Sequence, residues 1–359
     1  MKCPICNTEN KQDAKKCISC KSKLTLDGVS LIAIICILGL TTFMIFALLF
    51  NEDEGSEIHG AIHRIEYGEN VVYLFGTMHA AAPEWFPLAD VVEDAMARAD
   101  VFAFETDWTS EGPHATLDYL AESGEGTQLV GETLVDVMPA NAHDNLVRYI
   151  ETYELTYEDV YQMNPVALSM TINTTAIMEF LAEFGIRSDI SVDSYIFDFA
   201  QQRMRPIIGL EPMLQQMRIA FAPDQEILDQ AGFTGTLEEI FYDALVDFMP
   251  HDELLAYLYD NMELHYDYLD NDIEGVIASM EVSSEELENT YMRYMVEVVM
   301  NFRSTYYANS IASLLRETEE PTTFFAAVGL SHVIREGDHL TNIVEQLELL
   351  GITAEPIWQ

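Results

Sequence analysis

Two histidines and two glutamates stand in matching sequence contexts. Gly76-Thr77-Met78-His79 and Gly329-Leu330-Ser331-His332 share the form Gly-x-x-His, and each follows a β-branched or aromatic run. The runs Val71-Val72-Tyr73-Leu74-Phe75 and Thr323-Phe324-Phe325-Ala326-Ala327-Val328 read as buried strands of an α/β sheet. A glycine closing such a strand lets the backbone turn sharply. The histidine three residues on then stands at the carboxyl edge, where open α/β sheets bind ligands. Two more apolar runs end in a carboxylate: Val101 to Phe104 leads into Glu105, and Pro206 to Leu210 into Glu211. If all four strands are parallel neighbours, two imidazoles and two carboxylates converge on one rim. That donor set, without thiols, suits a divalent Mn, Co, Zn or Fe ion. A histidine after a strand is also an ordinary turn residue; the repeated form, with Glu after two further strands, favours a site.

The elements that must position these residues carry further motifs. Val72 to His79 (VYLFGTMH), Phe86-Pro87-Leu88, Phe104-Glu105-Thr106, Gly209-Leu210-Glu211 with Gln215 or Gln216 after it, Arg303 before a helix, and Ala327 to His332 occur in order. In these motifs the chain resembles the TraB/GumN family, which includes bacterial pheromone-shutdown proteins and the Tiki metalloproteases. The resemblance covers residues 57 to 359. It implies a metal-dependent, peptidase-like active site with His79, Glu105 and His332 at key positions and Glu211 in the Gly-Leu-Glu motif. Ser304 departs from the pattern, because many members carry Asn after the Arg. Several branches of the family act as regulators, so a non-catalytic role is a second implication.

Composition divides the chain into unlike parts. All six Lys fall within the first 23 residues, whereas the chain beyond residue 50 holds 58 acidic residues against 11 Arg. Cys3, Cys6, Cys17 and Cys20 form two Cys-x2-Cys knuckles, the spacing of a zinc ribbon over residues 1–25. From Val29 to Phe50 runs a 22-residue apolar span without a charge, long enough to cross a bilayer core of about 30 Å. The Lys-rich flank places the ribbon in the cytoplasm and the rest outside the cell membrane, as a single-pass protein. Cys36 lies in the span and no cysteine follows it, so the outer part cannot depend on disulfides. Residues 51–57 read as an acidic linker, and 58–359 as one exoplasmic domain. Its charge argues against nucleic acid or anionic lipid as a partner.

Between the strands the chain reads mostly as helix: Asn164 to Phe184, Thr236 to Met249, Asp252 to Asp270 and Ser284 to Leu315, with a last helix from His339 to Leu350 and a strand from Thr353 to Ile357. The fold class is therefore α/β, a central mostly parallel sheet with a large helical insertion, preceded by a small zinc ribbon and one transmembrane helix. Asp193 and Arg205 read as helix salt-bridge residues, or else as supports for the site or contacts to a substrate carboxylate, and Arg303 as a further support. His59, His63, His114, His143, His251, His265 and His339 lack the strand-end context and read as surface residues. There is no His-Glu-x-x-His, Gly-x-Ser-x-Gly, phosphate loop or Gly-x-Gly-x-x-Gly.

The expected activity is hydrolysis of extracellular peptides or proteins by metal-activated water. His79 and His332 would hold the ion, Glu105 would be a ligand or the general base, and Glu211 would be a further ligand or orient one. The alternatives are capture of a secreted signalling peptide without cleavage, and a membrane sensor whose ribbon docks a cytoplasmic partner.

Overall fold

The computed structural model describes residues 61–107, 109, 133–153, 155–183, 185–246, 254–256, 282–284, 286–334 and 339–357. The ribbon expected at 1–25, the span at 29–50 and the linker at 51–57 lie outside them, as does most of the helix expected over 252–270. Among the described residues no helix is long and apolar enough to cross a membrane.

Six strands form one sheet: β1 (Ile62–Tyr67), β2 (Asn70–Thr77), β3 (Val101–Phe104), β4 (Ile207–Gly209), β5 (Thr323–Gly329) and β6 (Ala354–Pro356), in the order β4-β3-β5-β2-β1-β6. The β2/β5, β3/β5 and β3/β4 pairs are parallel, and β1 runs antiparallel to both β2 and β6. The four motif strands are therefore the parallel half; β2, β3 and β5 are buried on both faces, which is why they read as unbroken apolar runs, and β4 is the half-buried edge. Phe325 packs against Phe75 and Phe102 at centroid distances of 6.0 and 5.7 Å. Burying each such ring stabilises the fold by roughly 1.5–3 kcal/mol.

The helices are α1 (Asp90–Arg98), α2 (Leu134–Val137), α3 (Ala140–Thr152), α4 (Tyr157–Tyr161), α5 (Pro165–Ala182), α6 (Val192–Gln202), α7 (Met213–Phe221), α8 (Gln225–Ala231), α9 (Leu237–Val246), α10 (Thr290–Tyr294), α11 (Arg303–Glu317), α12 (Ser331–Ile334) and α13 (Ile343–Leu349). Helix α5 starts where expected: Asn164 accepts from Ala167 N–H, Pro165 takes the first turn, and Gly185 follows in the left-handed conformation. Two expected helices begin later than read. The one expected from Ser284 opens with a 3-10 turn at Glu286–Glu288, restarts at the cap Asn289, and passes through a π-helical stretch, Met295–Phe302, into α11. The one expected from His339 begins only after Asn342, whose side chain caps Glu345 N–H.

The β1–β2 hairpin gave no alternation to read. Its burial runs Ile62 and His63 in succession, and Gly68 turns the chain at φ +62°. His63 is therefore buried between β2 and β6 and is not a surface residue.

Candidate functional site

The parallel register brings the two Gly-x-x-His segments side by side. Gly76 pairs with Val328 and Thr77 with Gly329, and Leu330 N–H donates to the Thr77 carbonyl at 3.0 Å. Space demands the two glycines, because neither adopts positive φ. A Cβ on Gly76 would stand 2.5 Å from Leu330 Cδ1, and one on Gly329 would stand 3.1 Å from Glu105 Oε1. The expected sharp turn at each glycine is thus replaced by close approach.

His79 leaves the end of β2 half exposed and is held by α6. Its Nδ1 lies 2.9 Å from Asp193 Oδ2, while Thr77 Oγ1 donates to Asp193 Oδ1 at 2.6 Å. Asp193 is fixed because α6 starts here: Ser191 caps the helix and Val192 N–H donates to the Met78 carbonyl. Phe86 stacks on Tyr195 of the same helix at 4.7 Å, clamping the loop after β2. The Asp193 carboxylate pulls the His79 pKa up to about 9 against the opposing effect of burial. His79 is therefore an imidazolium at neutral pH when no cation competes for it.

Glu105 and Glu211, at the ends of β3 and β4, share one guanidinium. Arg303 Nη2 donates to Glu105 Oε2 at 2.8 Å and to Glu211 Oε1 at 2.6 Å, and its Nε donates to Glu211 Oε1 at 2.8 Å. Gln216 adds a bond to Glu105 Oε2 at 2.7 Å, and Gly329 N–H donates to Oε1 at 2.8 Å. Burial pushes the Glu105 carboxyl up, but Arg303, His332, His79 and the Gly329 amide outweigh it and hold it at about 2. A carboxylate so acidic is a weak proton acceptor at neutral pH, which favours a fixed negative charge or ligand over a general base. The Glu211 side chain has no solvent exposure and also accepts from Tyr307 Oη at 2.5 Å. Burial raises its pKa, against the pull of Arg303 and Tyr307. It serves to hold Arg303 and does not face the rim as a ligand.

His332 enters from α12 and is almost wholly buried. Its Nδ1 lies 2.8 Å from Ser304 Oγ, and the Tyr307 ring meets it edge-on at 5.2 Å. Ser304 and Tyr307 follow Arg303 on α11, so one helix supports both Glu residues and one His. Sequence reading missed Thr77, Ser304 and Tyr307 in these roles, although the departure at Ser304 marked the position. Arg205 is not at the rim: it pairs with Asp100 at 3.8 Å, because both lie at the amino ends of the parallel strands.

The rim brings together His79, Glu105, His332, Asp193 and Arg303, with Glu211 beneath. Among the described residues no three His, Cys, Asp or Glu side chains form a ready metal cage. The donor chemistry still suits a divalent ion at the imidazoles. Each Nδ1 has an oxygen partner, the arrangement by which ligating histidines are aimed, and the Glu105 charge acts on both rings. It does not suit Glu211.

Sheet and rim together define an α/β protein with a strand-end site of paired imidazoles around an Arg-bridged pair of carboxylates. A family model described as the TraB/PrgY/gumN family matches residues 61–356, from β1 to β6 and including every rim residue, and the chain belongs to that family. No curated protein and no solved structure matches the chain.

Proposed function

We propose that this chain is a metal-assisted hydrolase acting on peptides or proteins outside the cell membrane. The observation that carries this reading is that His79 and His332, each with Nδ1 on an oxygen partner, share one rim of the parallel sheet with Glu105, whose charge acts on both rings. His79 and His332 would hold a Mn, Co, Zn or Fe ion through Nε2, with Glu105 beside them. When bound, such an ion supplies Lewis acidity toward a carbonyl and a water. Asp193 keeps the proton of His79 at Nδ1, and Ser304 orients the His332 ring. Arg303 bridges Glu105 and Glu211 and offsets one of their two negative charges. The test is metal affinity and turnover of a quenched peptide mixture by the detergent-solubilised full chain, with His79→Ala and His332→Ala as variants. Loss of both properties in the variants supports the reading; undiminished turnover contradicts it.

One observation favours a second reading. Both Glu105 oxygens already accept bonds, from Gly329, Arg303 and Gln216. A rim closed in this way suits capture of a peptide without cleavage. Peptide binding without turnover at any metal concentration would select that reading.

The anchor belongs to the proposal as well: a zinc-binding ribbon through Cys3, Cys6, Cys17 and Cys20, open to a cytoplasmic partner, then a single span at 29–50. Protease added to intact cells should digest the chain after Asn51 and spare the cysteine knuckles. The reverse pattern would overturn the topology.

A further inference from the structure

The outer edge of the sheet suggests how a substrate reaches the rim. Among the described residues, strand β4 ends the sheet on its parallel side. In a parallel ladder alternate residues bond to the neighbour. Phe102 N–H donates to the Pro206 carbonyl at 2.9 Å, and Leu210 N–H donates to the Phe104 carbonyl at 2.8 Å. Residues 206, 208 and 210 therefore face β3, and Ile207 and Gly209 direct their N–H and C=O groups away from it. Such an edge is a template for another extended chain.

A second wall runs beside this edge. Helix α11 and β4 enclose an open groove of about 390 Å³, with Ile208 and Leu210 on the strand side and Tyr306, Asn309, Ser313 and Leu314 on the helix side. Ser310 Oγ donates to the Leu210 carbonyl at 2.9 Å and ties the two walls together. No lining residue is charged, although the chain carries 61 Asp and Glu. A neutral corridor in so acidic a protein lets a peptide backbone approach without desolvating a carboxylate. Its apolar walls take side chains, and its amide and hydroxyls take polar backbone groups. At its strand side the groove ends next to the supports of the rim, since Leu210 is followed by Glu211, which from beneath grips Arg303 and through it Glu105.

We infer that β4 and α11 form a docking groove in which an extended, uncharged peptide segment adds to the sheet as a seventh strand and is led to the rim. The inference rests on the peptide-acting reading above and names how the substrate is presented: as unfolded, β-competent backbone.

The test uses the detergent-solubilised full chain with EDTA, so that no cleavage intervenes. The probe is a fluorescein-labelled mixture of capped octapeptides built from Gly, Ala, Ser, Thr, Val and Leu. Its control is the same mixture with alternate backbone amides N-methylated, which cannot complete a ladder. Unmethylated peptides should bind and slow hydrogen exchange over residues 206–211, and N-methylation should weaken binding at least tenfold. Ser313→Trp and Asn309→Trp, both exposed on α11, fill the groove and should each weaken binding at least tenfold, and His79→Ala reports separately on docking at the imidazoles. Absence of binding, binding that survives N-methylation, or full binding by both Trp variants overturns the inference. If His79→Ala alone loses binding, peptides dock at the imidazoles, so the edge fails while the peptide-acting reading stands. Edge binding with no turnover on adding metal has the opposite meaning: the groove stands and the hydrolase reading falls.

Discussion

Ser304 Oγ lies 2.8 Å from His332 Nδ1, with both side chains buried. A short hydroxyl one residue after the bridging Arg303 thus aims the second histidine of the rim. Removing the hydroxyl deletes a buried hydrogen bond. Ser304→Ala should cost about 1–3 kcal/mol in urea denaturation and weaken Mn or Co affinity by roughly 10–100-fold. Ser304→Asn, which offers its own donor and acceptor, should recover most of both. Equal metal affinity in all three proteins would remove Ser304 from the site.

Arg303 is the buried cation between the buried Glu211 and the partly buried Glu105, and its loss leaves both carboxylates without a counter-ion. Arg303→Leu should destabilise the fold by roughly 3–5 kcal/mol. Adding Glu105→Gln and Glu211→Gln should restore much of that loss, because neutral amides need no counter-ion. Denaturation midpoints of the single and triple variants test this, and a triple variant no more stable than Arg303→Leu contradicts it.

Asp193 sets the protonation of His79. In Asp193→Asn the His79 pKa should fall from about 9 toward the ordinary 6.5. The folded pKa is raised, so the stability contributed by the pair is full below pH 6.5 and is lost as pH rises through about 9. The contribution is small, on the order of 0.2–1 kcal/mol, because the His79 side chain is 52% exposed and screened by solvent. A histidine NMR titration, with the signal assigned by His79→Gln, measures the shift. A pKa still near 9 in Asp193→Asn rejects the pairing.

His63 acts in the opposite sense. Burial on β1 pushes its pKa down from 6.5 to about 4. The unfolded chain therefore binds the extra proton first. His63 favours the fold above pH 6.5, and that contribution is lost as pH falls across the window toward 4. Its share is on the order of 2 kcal/mol at pH 5 relative to neutral pH. His63→Leu should flatten the fall of stability between pH 7 and 5, whatever its effect on absolute stability. An unchanged slope would show that His63 is not the group responsible.

Sequence and structure agree where local signals were strong. Strands β2, β3 and β5 are apolar because both sheet faces are covered there, and the ends of the four motif strands place His79, Glu105, Glu211 and His332 as the runs implied. The supports were harder to read. Asp193 meets His79 across 114 positions and Ser304 meets His332 across 28, and no periodicity announces such pairs. Glu211 looked like a ligand because its context matches Glu105; only packing shows Arg303 and Tyr307 covering it. The glycines were assigned to the right positions for the wrong reason, since the need for space depends on Leu330 and Glu105, which approach from other strands and loops. Strand β1 escaped notice, and His63 was read as a surface residue, because β1 buries two successive residues and so lacks a period of two.

The central claim is that the two imidazoles of the rim hold a divalent ion that hydrolysis requires. The most direct measurement is peptide turnover by the detergent-solubilised full chain in H2(18)O, after EDTA treatment and after add-back of Mn, Co, Zn or Fe(II), alongside His79→Ala and His332→Ala of unchanged circular dichroism. The account predicts no turnover with EDTA, and recovery with at least one metal accompanied by 18O in the new carboxyl termini. It also predicts at least a 100-fold loss in each variant. Turnover that persists in EDTA, or that both variants retain with metal present, would contradict it.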